Sequence, residues 1–146
     1  MTTKNNTHPT ILIVDDNIYL CQFYCDTLER VGYRLLVAYD GWSGLELYQR
    51  HQAEIDLVVS DKSMPGLDGI KLFHELQRSN PLVKCIMVSG SITEAEARVL
   101  KAQGLLAVIQ KPFGFHTLVE HVKAAINKNI GCEHRTGSDQ TAPVFY

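Results

Sequence analysis

Five polar residues stand where apolar runs stop. Asp15 and Asp16 close the run Thr10–Val14, Asp61 closes Leu57–Ser60, Ser89 closes Cys85–Val88, and Lys111 follows Leu105–Ile109 by two positions. Each has a structural explanation when taken alone: Asp16 or Ser89 can cap a helix, and Lys111 can sit in solvent. Brought together they define a chemistry. Three carboxylates about 5 Å apart repel by about 3 kcal/mol per pair at an effective dielectric near 20. Such a set suits a hard divalent cation with oxygen ligands, Mg²⁺ or Mn²⁺. The cation and Lys111 offset the acids, so a phosphoryl group can enter, its oxygens held by the metal, Lys111 and the Ser89 hydroxyl. A carboxylate can itself be the nucleophile, giving an aspartyl phosphate. There is no Gly-rich phosphate loop, so a nucleotide is not the expected ligand.

Bringing these residues together requires a particular order of elements. The runs are apolar throughout rather than alternating, the pattern of strands buried on both faces. Between them lie stretches with helical spacing. Residues 17–31 place Leu20, Phe23, Tyr24, Leu28 (or Thr27) and Val31 on one side, and Gly32 is a natural stop. A second strand spans Tyr33–Tyr39, and Leu45, Leu47 and Tyr48 mark a short helix to about His51. Leu72, Phe73 and Leu76 point inward from a helix over about Gly69–Arg78, closed by Asn80-Pro81. Thr93-Glu94-Ala95-Glu96 matches a capping box opening a helix that ends near Gly104. Leu118, Val119, Val122 and Ile126 repeat along a last helix from about Phe115 to Asn127. Five strands alternating with five helices predict an α/β fold whose parallel sheet is covered on both faces. Right-handed crossovers then align all strand C-termini along one edge, where open α/β sheets bind ligands.

Length and composition narrow the class. A chain of 146 residues is expected to form one domain with a real core. The formal net charge of -2, with no Lys/Arg-rich block, gives no sign of a nucleic-acid or membrane partner. The polar N-terminus lacks the apolar core of a signal peptide, which makes a cytoplasmic location the default. Cysteines 21, 25, 85 and 132 lack the partners of a zinc site and read as reduced thiols, Cys85 within the core. Residues 1–9 read as a flexible leader, 10–128 as the folded domain and 129–146 as a polar, disordered tail.

The motifs Asp15-Asp16, Asp61-x-x-Met64-Pro65-Gly66-x-Asp68-Gly69, Ser89-Gly90 and Lys111-Pro112-Phe113 resemble the receiver domain of two-component response regulators. Asp40-Gly41-Trp42-Ser43-Gly44-Leu45 resembles that family's loop before its second helix, and the likeness covers roughly residues 9–128. It implies a three-layer, doubly wound, flavodoxin-like (βα)5 fold with strand order 2-1-3-4-5. It also implies that Asp61 accepts a phosphoryl group from a histidine kinase or phosphotransfer protein. Asp16 and Asp61 would then ligate Mg²⁺ with the backbone carbonyl of Ser63, Asp15 acting through water. Lys111 would neutralise the phosphoryl group and Ser89 would be the switch hydroxyl. A cis bond is expected at Lys111-Pro112. Such a domain is a signalling module that modifies itself rather than an enzyme acting on a substrate. It would work as a monomer or weak dimer through a downstream protein that the sequence does not name.

One position departs from the family pattern. Three residues before Lys111, where the family has Tyr or Phe, stands Val108, which is stiff at χ1 and too short to bridge the same gap. The expectation is that the loop after Ser89 still moves while the surface of the last strand changes little. Ser63 and Ser91, two residues after the acceptor and the switch serine, are small and leave room for water. Asp68 reads as a helix cap, and Trp42 as either a lid on the second helix or a partner contact. Ile18, Tyr19 and Cys21 form an apolar spot where the family docks its phosphodonor. Two alternatives are carried alongside. A degenerate receiver binding partners without phosphorylation is disfavoured by the intact acids and Lys111. An aspartyl-phosphate phosphatase of the haloacid dehalogenase kind needs a second acid two residues after the nucleophile, where Ser63 stands.

Overall fold

Alternation along the strands explains the layering. In the computed structural model, which describes residues 8–129, five strands form one parallel sheet: β1 (Thr10–Val14), β2 (Arg34–Ala38), β3 (Ile55–Asp61), β4 (Cys85–Ser89) and β5 (Ala107–Gln110). Their spatial order is β2-β1-β3-β4-β5. Odd and even residues of each strand feed different cores. Ile11, Ile13, Leu57, Val59, Ile86 and Val88 pack with Cys21, Tyr24 and Leu28 of α1 (Ile18–Val31) and with Leu118, Val122 and Ala125 of α5 (Phe115–Ile126). Leu12, Val14, Val58, Cys85 and Met87 pack on the other face with Tyr48 of α2 (Gly41–Arg50), with Leu72, Phe73 and Leu76 of α3 (Gly69–Ser79) and with Leu100 of α4 (Glu94–Ala102). The result is the expected three-layer, doubly wound (βα)5 arrangement.

Local chemistry sets the helix ends. Asn17, Asp40, Asp68 and Thr93 cap α1 to α4 through side-chain oxygens that accept backbone N–H groups. Asp68 is therefore the helix cap read from the sequence, and Thr93 with Glu96 closes a full capping box. Gly32 ends α1 at φ 108°, a left-handed conformation that a β-carbon would strain.

Several boundaries differ from the sequence reading by one or two residues. β3 starts at Ile55 and includes Asp61 itself, and β5 begins at Ala107 because Leu105 still bonds back to Leu100 at the end of α4. The inward stripe of α1 is Cys21, Tyr24 and Leu28, spaced three and four apart, while Leu20 and Phe23 are only half-buried and Val31 is exposed. Cys21 thus belongs to the core and not to an exposed apolar spot; only Ile18 and Tyr19 of that trio are exposed. Cys21, Cys25 and Cys85 are free thiols, and burial pushes the Cys21 and Cys85 thiols up to about 12, so both stay protonated. Cys132, and most of the leader and tail, lie outside the described residues. Among the described residues, no helix is long and apolar enough to cross a membrane.

Candidate functional site

Parallel pairing carries the polar residues to one edge. Asp61 is the last residue of β3, in register with Val88, and the ladders run one residue further: Asp15 donates its N–H to Ala38, Lys62 to Val88, and Lys111 to Ser89. β3 and β5 are separated by β4, so Asp61 and Lys111 start about 10 Å apart, two ladder spacings. The four-carbon stem of Lys111 spans that gap, and its ammonium lies 2.6 Å from Asp61 Oδ1. The Lys111–Pro112 peptide is cis, as expected from the sequence.

The acids gather beside this ion pair. One carboxylate oxygen from each of Asp15, Asp16 and Asp61 lies within 4.8 Å of the others. Asp15 and Asp61 are buried, whereas Asp16 is open to solvent. Asp61 Oδ2 accepts the Ser63 N–H at 3.2 Å, and Asp15 Oδ1 accepts the Asn17 N–H at 2.8 Å. Asp15 Oδ2 is buried with no hydrogen-bond partner among the described residues. Burial raises the Asp15 carboxyl to about 6; the Asn17 N–H lowers it, and the charge of Asp61 raises it further. A buried acid with one oxygen unpartnered, clustered with two further acids, fits a divalent cation, so the three residues could together hold one.

Close packing keeps the loop after Asp61 on course. A β-carbon on Gly69 would collide with the Asp61 carbonyl, and the Gly69 N–H instead donates to the Lys62 carbonyl at 2.8 Å. Ser63 and Ser91 are exposed, consistent with water access to the pocket. Ser89 is buried at the end of β4, and its hydroxyl accepts the Ser91 N–H at 3.0 Å. Behind Lys111, Phe113 stacks on the Tyr24 ring at 6.1 Å. Val108 is half-buried against the α2–α4 core, in register with Met87.

Sequence reasoning missed Lys62. Its ammonium reaches the Ser91 carbonyl at 3.3 Å and Glu96 at 3.5 Å, joining the loop after β3 to the loop after β4. A lysine in a loop carries no periodic signal, and only the Thr93–Glu96 capping pattern hinted at an ordered partner.

A doubly wound parallel sheet that gathers three acids and a lysine at its C-terminal edge defines the class of fold and site, and comparison with known proteins narrows it. Residues 11–123 match the response regulator receiver domain. The chain is 35% identical over 119 residues to the sensor kinase CckA of Brucella abortus (strain 2308), covering 82% of this chain and 13% of the kinase. It is 31% identical over 121 residues to the transcriptional regulatory protein GlrR of Escherichia coli (strain K12), covering 82% of this chain and 26% of that protein. A chain of the CheX–CheY–BeF3–Mg²⁺ complex from Borrelia burgdorferi superposes with a TM-score of 0.79 at 25% identity, over 82% of this chain and 90% of that one. The chain belongs to the receiver domains of two-component response regulators. It spans only a minor part of the two curated relatives, both far longer proteins.

Proposed function

We propose that the domain accepts a phosphoryl group on Asp61 from a histidine kinase or a histidine phosphotransfer protein, and that the modification switches a protein-binding surface. The observation that carries this reading is the Asp61 carboxylate, buried at a strand end, with an ammonium 2.6 Å away and two further acids within 4.8 Å. A structural ion pair needs no extra acids, and their mutual repulsion is a cost that only a bound cation and a phosphoryl group make useful. The CheX–CheY complex from Borrelia burgdorferi, with BeF3 and Mg²⁺, gives a precedent for both groups in a related fold.

Asp15, Asp16, Asp61 and the backbone carbonyl of Ser63 would hold Mg²⁺ or Mn²⁺. Bound there, the cation supplies charge neutralisation and orients phosphoryl oxygens. The chain's own residues do the rest. A carboxylate oxygen of Asp61 forms the new bond to phosphorus as the phosphorus–nitrogen bond of the donor's phosphohistidine breaks. The electron pair stays on the histidine nitrogen, which takes up a proton. Lys111 moves from the carboxylate to a phosphoryl oxygen, balancing charge where it develops. The Ser89 hydroxyl donates to another phosphoryl oxygen, which draws the 89–93 loop and α4 toward the site.

Incubation with acetyl phosphate and Mg²⁺, followed by intact-mass measurement, tests the assignment. Wild-type protein gains one phosphoryl group, Asp61→Asn gains none, and a chelator abolishes the gain. Wild type that stays unmodified overturns the reading.

A further inference from the structure

Lys62 follows the acceptor directly, yet it does not behave like a solvated loop lysine. Its backbone is fixed on both sides, its N–H donating to Val88 and its carbonyl accepting from Gly69, each at 2.8 Å. Its side chain is only 18% exposed, and from this anchored base the ammonium donates to the Ser91 carbonyl and faces Glu96. Ser91 is held at its other end as well, because its N–H donates to the Ser89 hydroxyl. Glu96 in turn accepts the Thr93 N–H and so closes the cap of α4. Its carboxyl is held below the usual range by that N–H and, next, by Lys62. One ammonium therefore ties the acceptor loop to both the switch hydroxyl and the first turn of α4.

We infer that Lys62 is a positioning residue that acts through Ser91, holding the Ser89–Thr93 loop in its unphosphorylated arrangement and opposing its closure on Asp61. This rests on Asp61 being the phosphoryl acceptor. For Ser89 to follow a phosphoryl group, Ser91 must move with it, and its carbonyl cannot do so freely while bonded to an anchored cation. The modification itself weakens the tie. A phosphoryl group on the neighbouring residue adds negative charge that competes with Ser91 and Glu96 for the ammonium. The device sets a threshold for switching rather than contributing to phosphoryl transfer.

The test compares wild type, Lys62→Met, which keeps the stem but loses the charge, and Lys62→Arg, which keeps the cation. In the metal-free protein, the solvent-exchange rate of the Ser91 amide is read by NMR. Affinity for beryllofluoride is then read in the presence of Mg²⁺. Lys62→Met speeds Ser91 exchange and tightens beryllofluoride binding roughly threefold to tenfold, the worth of one ordinary hydrogen bond at a partly open position. Lys62→Arg stays close to wild type in both, which simple destabilisation by the methionine would not explain. Unchanged Ser91 exchange overturns the tie. Unchanged or weaker beryllofluoride binding overturns its opposing role, the weaker case showing that Lys62 instead grips the phosphoryl mimic. Failure of wild type to bind beryllofluoride at all would sink the acceptor assignment and this opposing role with it, while the exchange rates still report on the tie.

Discussion

The two ends of the sheet use similar residues to different effect. At the N-terminal edge, a hollow of about 310 Å³ is lined in part by Tyr48, Asp56, Asn80 and Lys84. There the polar groups are bonded within the protein. Asp56 accepts the Thr10 N–H at 2.9 Å, Lys84 donates to the Ile126 carbonyl at 2.8 Å, and Asn80 donates to the Tyr48 hydroxyl at 2.9 Å. At the C-terminal edge the same residue types leave a buried carboxylate oxygen unpartnered and crowd three acids together. The first edge spends its polar groups on closing the structure. The second keeps them in an unfavourable arrangement that a ligand can relieve, and strain of that kind marks a functional site.

The largest expected effect separates the two lysines. Lys111→Met lowers the rate of phosphoryl acceptance from acetyl phosphate by about 10²-fold or more, the scale of losing a group aimed at developing charge. Lys84→Met leaves that rate at the wild-type level, because its ammonium serves a helix-end carbonyl. Equal losses in the two variants would erase the distinction between the edges.

Asp15→Asn acts on stability in the opposite direction from most core substitutions. The Asp15 carboxyl rises from its ordinary 3.8 to about 6 in the folded protein. Between those values the folded state binds more protons than the unfolded state, so metal-free stability falls as pH rises through the window. Above about 6 the penalty is complete. The amide keeps an acceptor for the Asn17 N–H and carries no charge, so Asp15→Asn stabilises metal-free protein by up to about 3 kcal/mol at pH 7. Urea unfolding in a chelator at pH 7 and at pH 4 checks this: the gain shrinks at the lower pH. With Mg²⁺ added in place of the chelator, the expected outcome is a gain in stability for wild type and a far smaller gain for the variant.

A smaller effect tests the other edge. Tyr48→Phe removes the oxygen that accepts from Asn80 and costs about 0.5–1.5 kcal/mol of unfolding free energy. Phosphoryl acceptance is untouched. A change in acceptance rate would mean that the two edges communicate through α2 and α3.

The sequence exposed whatever depends on strand ends. Asp15, Asp16, Asp61, Ser89 and Lys111 stop apolar runs, and a parallel sheet places such stops on one edge without further information. Caps were equally readable, since Asp68 and the Thr93–Glu96 pair act within one turn of themselves. Side-chain direction within a face was harder. The apolar pattern of α1 points to Leu20 and Phe23 and passes over Cys21, because a small thiol weighs little in such a pattern although it packs as a core residue. Lys62 was invisible for a deeper reason: its partners are 29 and 34 positions away and meet it only after β3 and β4 pair.

The chain contains a single tryptophan, and its location adds an optical property to the fold. Trp42 opens α2 with its side chain well exposed, and a β-carbon on Gly66 would lie 3.7 Å from its indole nitrogen. Gly66 belongs to the turn that follows Asp61. The indole therefore overlies the loop nearest the acceptor, with no second tryptophan to obscure its emission. The domain carries a native fluorophore over that turn, so a rearrangement of the turn can be followed as an intensity change in unlabelled protein.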